Sequence, residues 1–183
     1  MTHLVPDIIE MSNSSHGTRV IQKVIENVES QSLIEEILKK FKENVVGLVL
    51  DSNGNHVIQK CLSYFVPEQV DFMYMEIMAS VEEVATHKHG CCVLQRCIDY
   101  CNEDQIKFVI GGILNHTEVL INDKFGNYVI QYILELQGYD EDKEEIGKSV
   151  AKKVDYYCYQ KFSSNVIEKS IKIDLTVVLD KLL

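Results

Sequence analysis

The sequence contains no long hydrophobic run. None of its 183 residues belongs to an apolar stretch of roughly 18 to 20 residues, the length that spans a bilayer. The first residues show no basic leader followed by an apolar block. These absences exclude a membrane-spanning segment and predict a protein of the cytosol or nucleus, with the cytoplasm as the expected location. The hydrophobic fraction of 46% is sufficient for one soluble domain with a sizeable core.

The sequence also contains few basic residues. Lys and Arg together number 18 against 28 Asp and Glu, which gives a formal net charge of −10. Nonspecific nucleic-acid binding depends on cationic side chains that neutralise phosphates. The overall charge therefore argues against a polyanion as partner, unless charges of opposite sign are segregated on different faces of the molecule.

The first residues also lack the pattern of a secretion signal, and this bears on what we expect of the six cysteines. Cysteines in such a chain are more often free thiols than a disulfide framework. The segment "HKHGCC" at 87–92, with Cys97 and Cys101 nearby, contains the residue types of a zinc site. We favour buried thiols, because Cys97 and Cys101 lie four residues apart on the apolar side of a predicted helix. We expect neither a metal nor a cofactor.

The sequence does contain an internal repeat. Five segments align without gaps, and their starts are separated by 37, 36, 36 and 37 residues. A period of this length is typical of stacked supersecondary units. The five segments are "HGTRVIQKVIE" from His16, "NGNHVIQKCLS" from Asn53, "HGCCVLQRCID" from His89, "FGNYVIQYILE" from Phe125 and "FSSNVIEKSIK" from Phe162.

Each repeated segment is predicted to form a helix, because its apolar residues recur at helical spacing. We call these the inner helices and place them near residues 17–28, 54–65, 90–101, 126–136 and 163–172. Longer amphipathic stretches lie between them, and Pro67 and the Asn102–Gln105 pair resemble helix starts. Such units must stack to bury their apolar faces, which predicts a single all-α solenoid over residues 1–183. The ending "IDLTVVLDKLL" favours the start of a further unit, so we expect a partial array.

Three side chains of each inner helix share one face: those at positions one, two and five, where position one is the third residue of each aligned segment. The phrases "NGNHVIQKC", "HGCCVLQRC", "FGNYVIQYIL" and "FSSNVIEK" resemble the PUF (Pumilio) family of RNA-binding proteins. The resemblance covers about residues 1–174. The order of the five motifs resembles that of repeats three to seven of the eight that are usual in the family. It implies a right-handed crescent of three-helix repeats that reads single-stranded RNA, one base per repeat. It implies no enzymatic activity.

Positions one and five are predicted to contact base edges. Two carboxamides match the donors and acceptors of uracil, which assigns uracil to Asn55 with Gln59 and to Asn127 with Gln131. A carboxylate accepts from the two adjacent N–H groups that only guanine offers, which assigns guanine to Glu168 with Ser164. The remaining two pairs resemble the adenine readers of the family, namely Cys91 with Gln95 and Thr18 with Gln22.

Position two is predicted to lie between successive bases, where aromatic and guanidinium planes stack. The five stacking residues are Arg19, His56, Cys92, Tyr128 and Asn165. The resemblance implies that the RNA runs antiparallel to the protein. The predicted core is therefore 5′-GUAUA-3′ within a UGUA-type element.

The charges can be reconsidered once they are sorted by face. Four basic residues follow position five and three lysines precede inner helices, so we expect phosphate contacts from Lys23, Lys60, Arg96, Lys169, Lys88, Lys124 and Lys161. The carboxylates are expected elsewhere, at 35–36, 82–83 and 140–145.

Two functions of different classes follow. The first is a monomeric regulator that binds untranslated regions of mRNA and recruits translation-repression or deadenylation proteins on its convex face or loops. The second is a helical-repeat scaffold that binds proteins, or structured RNA such as ribosomal RNA, without reading bases. Preference for GUAUA over its single-base variants distinguishes them.

Overall fold

The computed structural model describes residues 5–173 and 175–183, and this part of the chain forms 15 α-helices. Met1–Leu4 and Asp174, which the predicted domain included, lie outside the described residues. The helices are α1 (Ile8–Asn13), α2 (Gly17–Asn27), α3 (Gln31–Lys42), α4 (Val45–Leu50), α5 (Gly54–Tyr64), α6 (Pro67–Ala79), α7 (Val81–Ala85), α8 (Gly90–Tyr100), α9 (Glu103–Leu114), α10 (Thr117–Asn122), α11 (Gly126–Glu135), α12 (Asp140–Ala151), α13 (Val154–Tyr157), α14 (Ser163–Lys172) and α15 (Thr176–Leu182).

The helices form five repeats of three. The second helix of each repeat is an inner helix, and α2, α5, α8, α11 and α14 contact one another in that order. The third helices make a separate row, which we call the outer helices: α3, α6, α9, α12 and α15. This arrangement confirms the predicted all-α helical-repeat solenoid.

The inner helices begin at the predicted residues, but the first four end one residue earlier than expected. The cause is the backbone of the next residue. Val28, Phe65, Cys101 and Leu136 have ψ values of 121°, 151°, 152° and 146°, which are extended conformations that a helix cannot include. The apolar pattern continues through these residues because they still pack against the core.

The start of each inner helix approaches the helix before it closely. A Cβ atom added to Gly90 would lie inside the van der Waals distance of the Val84 carbonyl oxygen, six residues earlier. The fifth repeat has Ser163 at this place, and its hydroxyl donates a hydrogen bond of 2.9 Å to the carbonyl oxygen of Tyr157, again six residues earlier. Glycine or a hydroxyl that bonds this carbonyl therefore allows the same tight turn.

The prediction that the last residues begin a further unit is wrong. Helix α15 packs against α12 and α14, so it is the third helix of the fifth repeat. Leu175 and Val177 lie where a Cβ on Gly147 of α12 would clash with them, and Val178 is fully buried. The apolar residues of this segment thus complete the fifth unit.

The predicted helix starts at Pro67 and Asn102 are confirmed. Pro67 is the first residue of α6. The Asn102 side-chain oxygen accepts from the backbone N–H of Gln105 at 2.9 Å, and the Gln105 side chain accepts from the N–H of Asn102 at 3.1 Å. This reciprocal cap satisfies N–H groups that the first turn of α9 leaves unpaired.

Candidate nucleic-acid interface

Positions one, two and five lie on the row of inner helices, at three different depths. Position two is exposed in every repeat. Position five is half-buried in the first four repeats and exposed in the fifth. Position one is the deepest: it is buried in four repeats, with Asn127 at 0% and Asn55 at 2% exposure, and half-buried only at Ser164. The structure therefore brings the three predicted side chains of each repeat together, with position one underneath.

In the two predicted uracil readers, position one bonds position five directly. Gln59 Nε2 donates to Asn55 Oδ1 at 2.9 Å, and Gln131 Nε2 donates to Asn127 Oδ1 at 2.8 Å. Asn55 Nδ2 in turn donates to the carbonyl oxygen of Asp51 at 2.8 Å, and Asn127 makes the equivalent bond. Each asparagine thus fixes its glutamine, which keeps its carbonyl oxygen and one N–H for a further partner.

The two predicted adenine readers differ from each other. Gln22 Nε2 donates to Thr18 Oγ1 at 3.1 Å, and the Thr18 hydroxyl donates to the carbonyl oxygen of Asn53, in the next repeat, at 3.1 Å. The Cys91 thiol donates instead to the Lys88 carbonyl oxygen at 3.4 Å. Threonine therefore links two repeats as well as positioning a glutamine, whereas the hydrogen bond of the cysteine stays within its own repeat.

The fifth repeat presents a carboxylate. Glu168 Oε1 lies 2.6 Å from Lys172 Nζ, one turn further along α14. The hydrogen bond from Lys172 lowers the pKa of Glu168 below its ordinary value. The side chain is therefore ionised at neutral pH and can only accept hydrogen bonds. Ser164 lies one turn before it, and its hydroxyl donates to the Lys161 carbonyl oxygen at 3.3 Å.

Depressions in the surface lie between neighbouring repeats. One cavity of about 340 Å³ lies between the fourth and fifth repeats. It is lined by Tyr128, Gln131, Asn165, Glu168, Lys169 and Lys172. Another, of about 220 Å³, includes Gln22, His56, Gln59, Lys60 and Arg96. Residues predicted to stack, to read base edges and to contact phosphate therefore converge between adjacent inner helices.

The expectation that carboxylates lie away from this surface is wrong in part. Glu26, Asp99 and Glu135 each lie four residues after position five, on the same helical face. Four of the seven basic residues predicted to bind phosphate pair with these carboxylates: Lys60 Nζ to Glu26 Oε1 at 2.8 Å, Arg96 Nη1 to Asp99 Oδ2 at 2.5 Å, Lys23 to Glu26 and Lys169 to Glu135. Continuing the count of four beyond each reading position could have found this acidic row in the sequence.

The three lysines that precede inner helices have a different environment. Lys88, Lys124 and Lys161 are exposed. Lys124 Nζ lies 4.8 Å from the centre of the Phe125 ring, and Lys161 Nζ lies 5.4 Å from that of Phe162. Lys124 and Lys161 are thus held near the starts of their inner helices by aromatic rings.

The cysteines are free thiols, as predicted. Burial raises the pKa of the Cys91 thiol to about 12, so this side chain is neutral and weakly polar where it borders Gln95. Cys97 is fully buried and Cys101 half-buried. Within residues 5–173 and 175–183, no three His, Cys, Asp or Glu side chains are placed to hold a metal ion. No helix in the same range is long and apolar enough to cross a membrane.

A solenoid that repeats one three-residue surface unit along its inner helices has the architecture of a helical-repeat binding protein. The sequence profile described as the Pumilio-family RNA binding repeat matches residues 7–38, 44–78, 80–114 and 118–148. The chain therefore belongs to the PUF family, which consists of RNA-binding proteins and not of enzymes. The matched segments correspond to the first four repeats, and the structure adds the fifth.

Known proteins are similar over part of their length. The chain is 44% identical over 89 residues to the Pumilio domain-containing protein C6G9.14 of Schizosaccharomyces pombe, covering 49% of this chain and 13% of that protein. It is 39% identical over 97 residues to the suppressor protein MPT5 of Saccharomyces cerevisiae, covering 49% and 11%. The match thus spans only a small part of the length of these curated relatives.

Solved structures match over almost the whole chain. The Puf4 RNA binding domain bound to the HO endonuclease RNA 3′ UTR recognition sequence has a TM-score of 0.90 and 37% identity, covering 97% of this chain and 56% of that chain. A Puf4 mutant bound to the Cox17 RNA 3′ UTR recognition sequence has a TM-score of 0.94 and 34% identity, covering 100% and 62%.

Proposed function

We propose that this chain binds single-stranded RNA in a sequence-specific manner through its inner helices, one base per repeat, with 5′-GUAUA-3′ as the core. One observation carries the proposal. In the first, second and fourth repeats the side chain at position one accepts a hydrogen bond from the glutamine at position five. A glutamine fixed in this way offers a defined acceptor and donor, as recognition of a base edge requires.

The fifth repeat supports the guanine at the 5′ end of this core. Glu168 is ionised and exposed, so its oxygens accept from the N1–H and N2–H groups of guanine. The other four repeats have glutamine at this place. A single guanine followed by bases that glutamine can read is therefore the pattern that the chain favours.

We further propose that the chain regulates mRNA translation or decay in the cytoplasm, as a monomer on a UGUA-type element. Support comes from its structural relatives, because the Puf4 structures contain recognition sequences from 3′ UTRs. The reading side chains occupy only the inner helices, which leaves the outer helices and loops for translation-repression or deadenylation proteins.

Binding to short RNAs tests the proposal. Fluorescence anisotropy with a labelled UGUAUA oligonucleotide should give tighter binding than each single-base variant of the GUAUA core, by about tenfold or more per base. Selection from randomised RNA should return the same core. Equal affinity for all variants, or tighter binding to a structured ribosomal RNA fragment, would favour a scaffold that does not read bases.

A further inference from the structure

The outer helices α6 and α9 expose apolar side chains to solvent. Met75 on α6 is 55% exposed and Phe108 on α9 is 44% exposed, while Phe72 on α6 is half-buried. None of these residues belongs to the inner helices that carry the proposed RNA surface. A further cavity of about 370 Å³ lies between α3 and α6, where Leu38 and Phe72 line it.

These side chains form one patch. Gln105 of α9 donates to the Pro67 carbonyl oxygen and to Asp71 Oδ1, both at 3.2 Å, and so fixes the register of α9 against α6. Equivalent helices of stacked repeats run in the same direction, so one turn further on Met75 follows Asp71 and Phe108 follows Gln105. Met75 and Phe108 therefore face solvent side by side. We call Phe72, Met75, Phe108 and Gly111 the outer patch.

Gly111, also exposed on α9, gives a second observation at this surface. A glycine inside a helix costs about 0.5–1 kcal/mol of stability relative to alanine, and packing gives no reason for it here. A Cβ atom on Gly111 would meet nothing within 4 Å, whereas one on Gly112 would lie 2.6 Å from Met78 Cε. A side chain at Gly112 would therefore have to displace the end of the Met78 side chain. At Gly111, by contrast, the backbone of α9 is exposed beside Phe108 and no side chain covers it. Another helix could approach the backbone closely at this point.

The charges around the outer patch indicate what kind of partner fits. Helices α6 and α9 carry exposed carboxylates and a single lysine, Lys107. The carboxylates are Glu68, Asp71, Glu76, Glu103 and Asp104. An acidic rim repels RNA and anionic lipid and attracts cationic side chains.

We propose that the outer patch binds a basic amphipathic helix of a partner protein. Apolar residues of that helix, spaced i, i+3 or i+4 and i+7, contact Phe72, Met75 and Phe108. Its lysine and arginine side chains face the acidic rim, and its backbone approaches α9 at Gly111. The proposal does not depend on RNA recognition, since it concerns a different row of helices.

Peptide selection tests this proposal on the whole chain. A phage library of random helical peptides is selected on the wild-type protein and counter-selected on the Gly111→Gln variant, which fills the open site with a good helix former. Ser32→Gln, which places the same side chain on the outer helix α3, is the matched control. Unfolding curves of both variants verify that the fold is intact.

The enriched peptides should be amphipathic and rich in lysine or arginine. By fluorescence anisotropy, one such peptide should lose about tenfold or more in affinity with Gly111→Gln, none with Ser32→Gln, and should bind equally with and without the UGUAUA oligonucleotide. The proposal is overturned if no peptide is enriched or if the enriched peptides are neutral or acidic. It is also overturned if a scrambled peptide of the same charge binds as tightly, or if RNA competes with the peptide.

Discussion

Replacement of Glu168 by glutamine gives the sharpest test of base recognition. The carboxylate is ionised because Lys172 Nζ lies 2.6 Å from its oxygen and lowers its pKa. In the proposed complex this carboxylate accepts from both N–H groups of guanine, whereas glutamine cannot, because one side of an amide is a donor. A bidentate contact of this kind discriminates by about 1–3 kcal/mol. Glu168→Gln should therefore lower the preference for guanine over adenine at this position by about tenfold or more, since 1.4 kcal/mol corresponds to about tenfold.

The substitution also removes one negative charge, which raises the affinity for any RNA. Glu144→Gln is the matched control, because Glu144 is likewise paired with a lysine four residues later, at 2.9 Å, but lies on the outer helix α12. Affinities for UGUAUA and for its variant with adenine in place of guanine are measured for the wild type and both variants. Only the ratio of the two affinities reports base recognition.

The pH dependence provides a second measurement. Because the pKa of Glu168 lies below its ordinary value, the carboxylate stays ionised from neutral to mildly acidic pH and is protonated only in stronger acid. The guanine preference of the wild type should stay constant over that range, and Glu168→Gln should show no pH dependence of its own. A guanine preference that survives Glu168→Gln unchanged would refute this assignment.

Two further predictions concern stability and can be checked by urea denaturation. Gly90→Ala should destabilise the fold by about 1–3 kcal/mol, because its Cβ overlaps the Val84 carbonyl oxygen, whereas Gly47→Ala should stabilise it by about 0.5–1 kcal/mol, because a Cβ there meets nothing within 4 Å. Equal effects of the two substitutions would contradict this prediction. Asn127→Ala should cost about 1–3 kcal/mol, because it removes a buried hydrogen-bonding group, and it should also weaken the uracil preference, because Gln131 loses the acceptor that fixes it. An Asn127→Ala variant with normal stability would show that the buried bond is dispensable.

The repeat could be predicted from sequence because five copies average out local ambiguity. Each inner helix begins where the aligned segments predict it, because the same tight turn precedes all five inner helices. The ends were predicted less well, because Phe65 and its equivalents remain apolar after the backbone has left the helix. Helix α15 resembles the start of a further unit in sequence because it is short and apolar, like the first helix of each repeat, and only its packing against α12 and α14 identifies it as a third helix.

The details of the candidate interface depended on burial and could not be predicted in the same way. The positions of Asn127 and Gln131 on one face follow from spacing, but spacing does not show that Asn127 is fully buried while it accepts a hydrogen bond from Gln131. The pairing of Lys60 with Glu26 joins two repeats, and no count along one helix reveals it. Spacing thus predicts which side chains are neighbours, and packing decides which of their atoms remain available.

The acidic row of Glu26, Asp99 and Glu135 has a thermodynamic consequence. A phosphate that approaches Lys60 or Arg96 has to displace a carboxylate of the protein itself. The freed carboxylate keeps a negative charge beside the phosphate, so fewer of the cations bound to the RNA are released than with an unpaired basic residue. The logarithm of the affinity should consequently fall with a shallow slope against the logarithm of the salt concentration. The preference of the protein for its RNA sequence over other sequences would then persist at ionic strengths at which more cationic proteins release nonspecifically bound RNA.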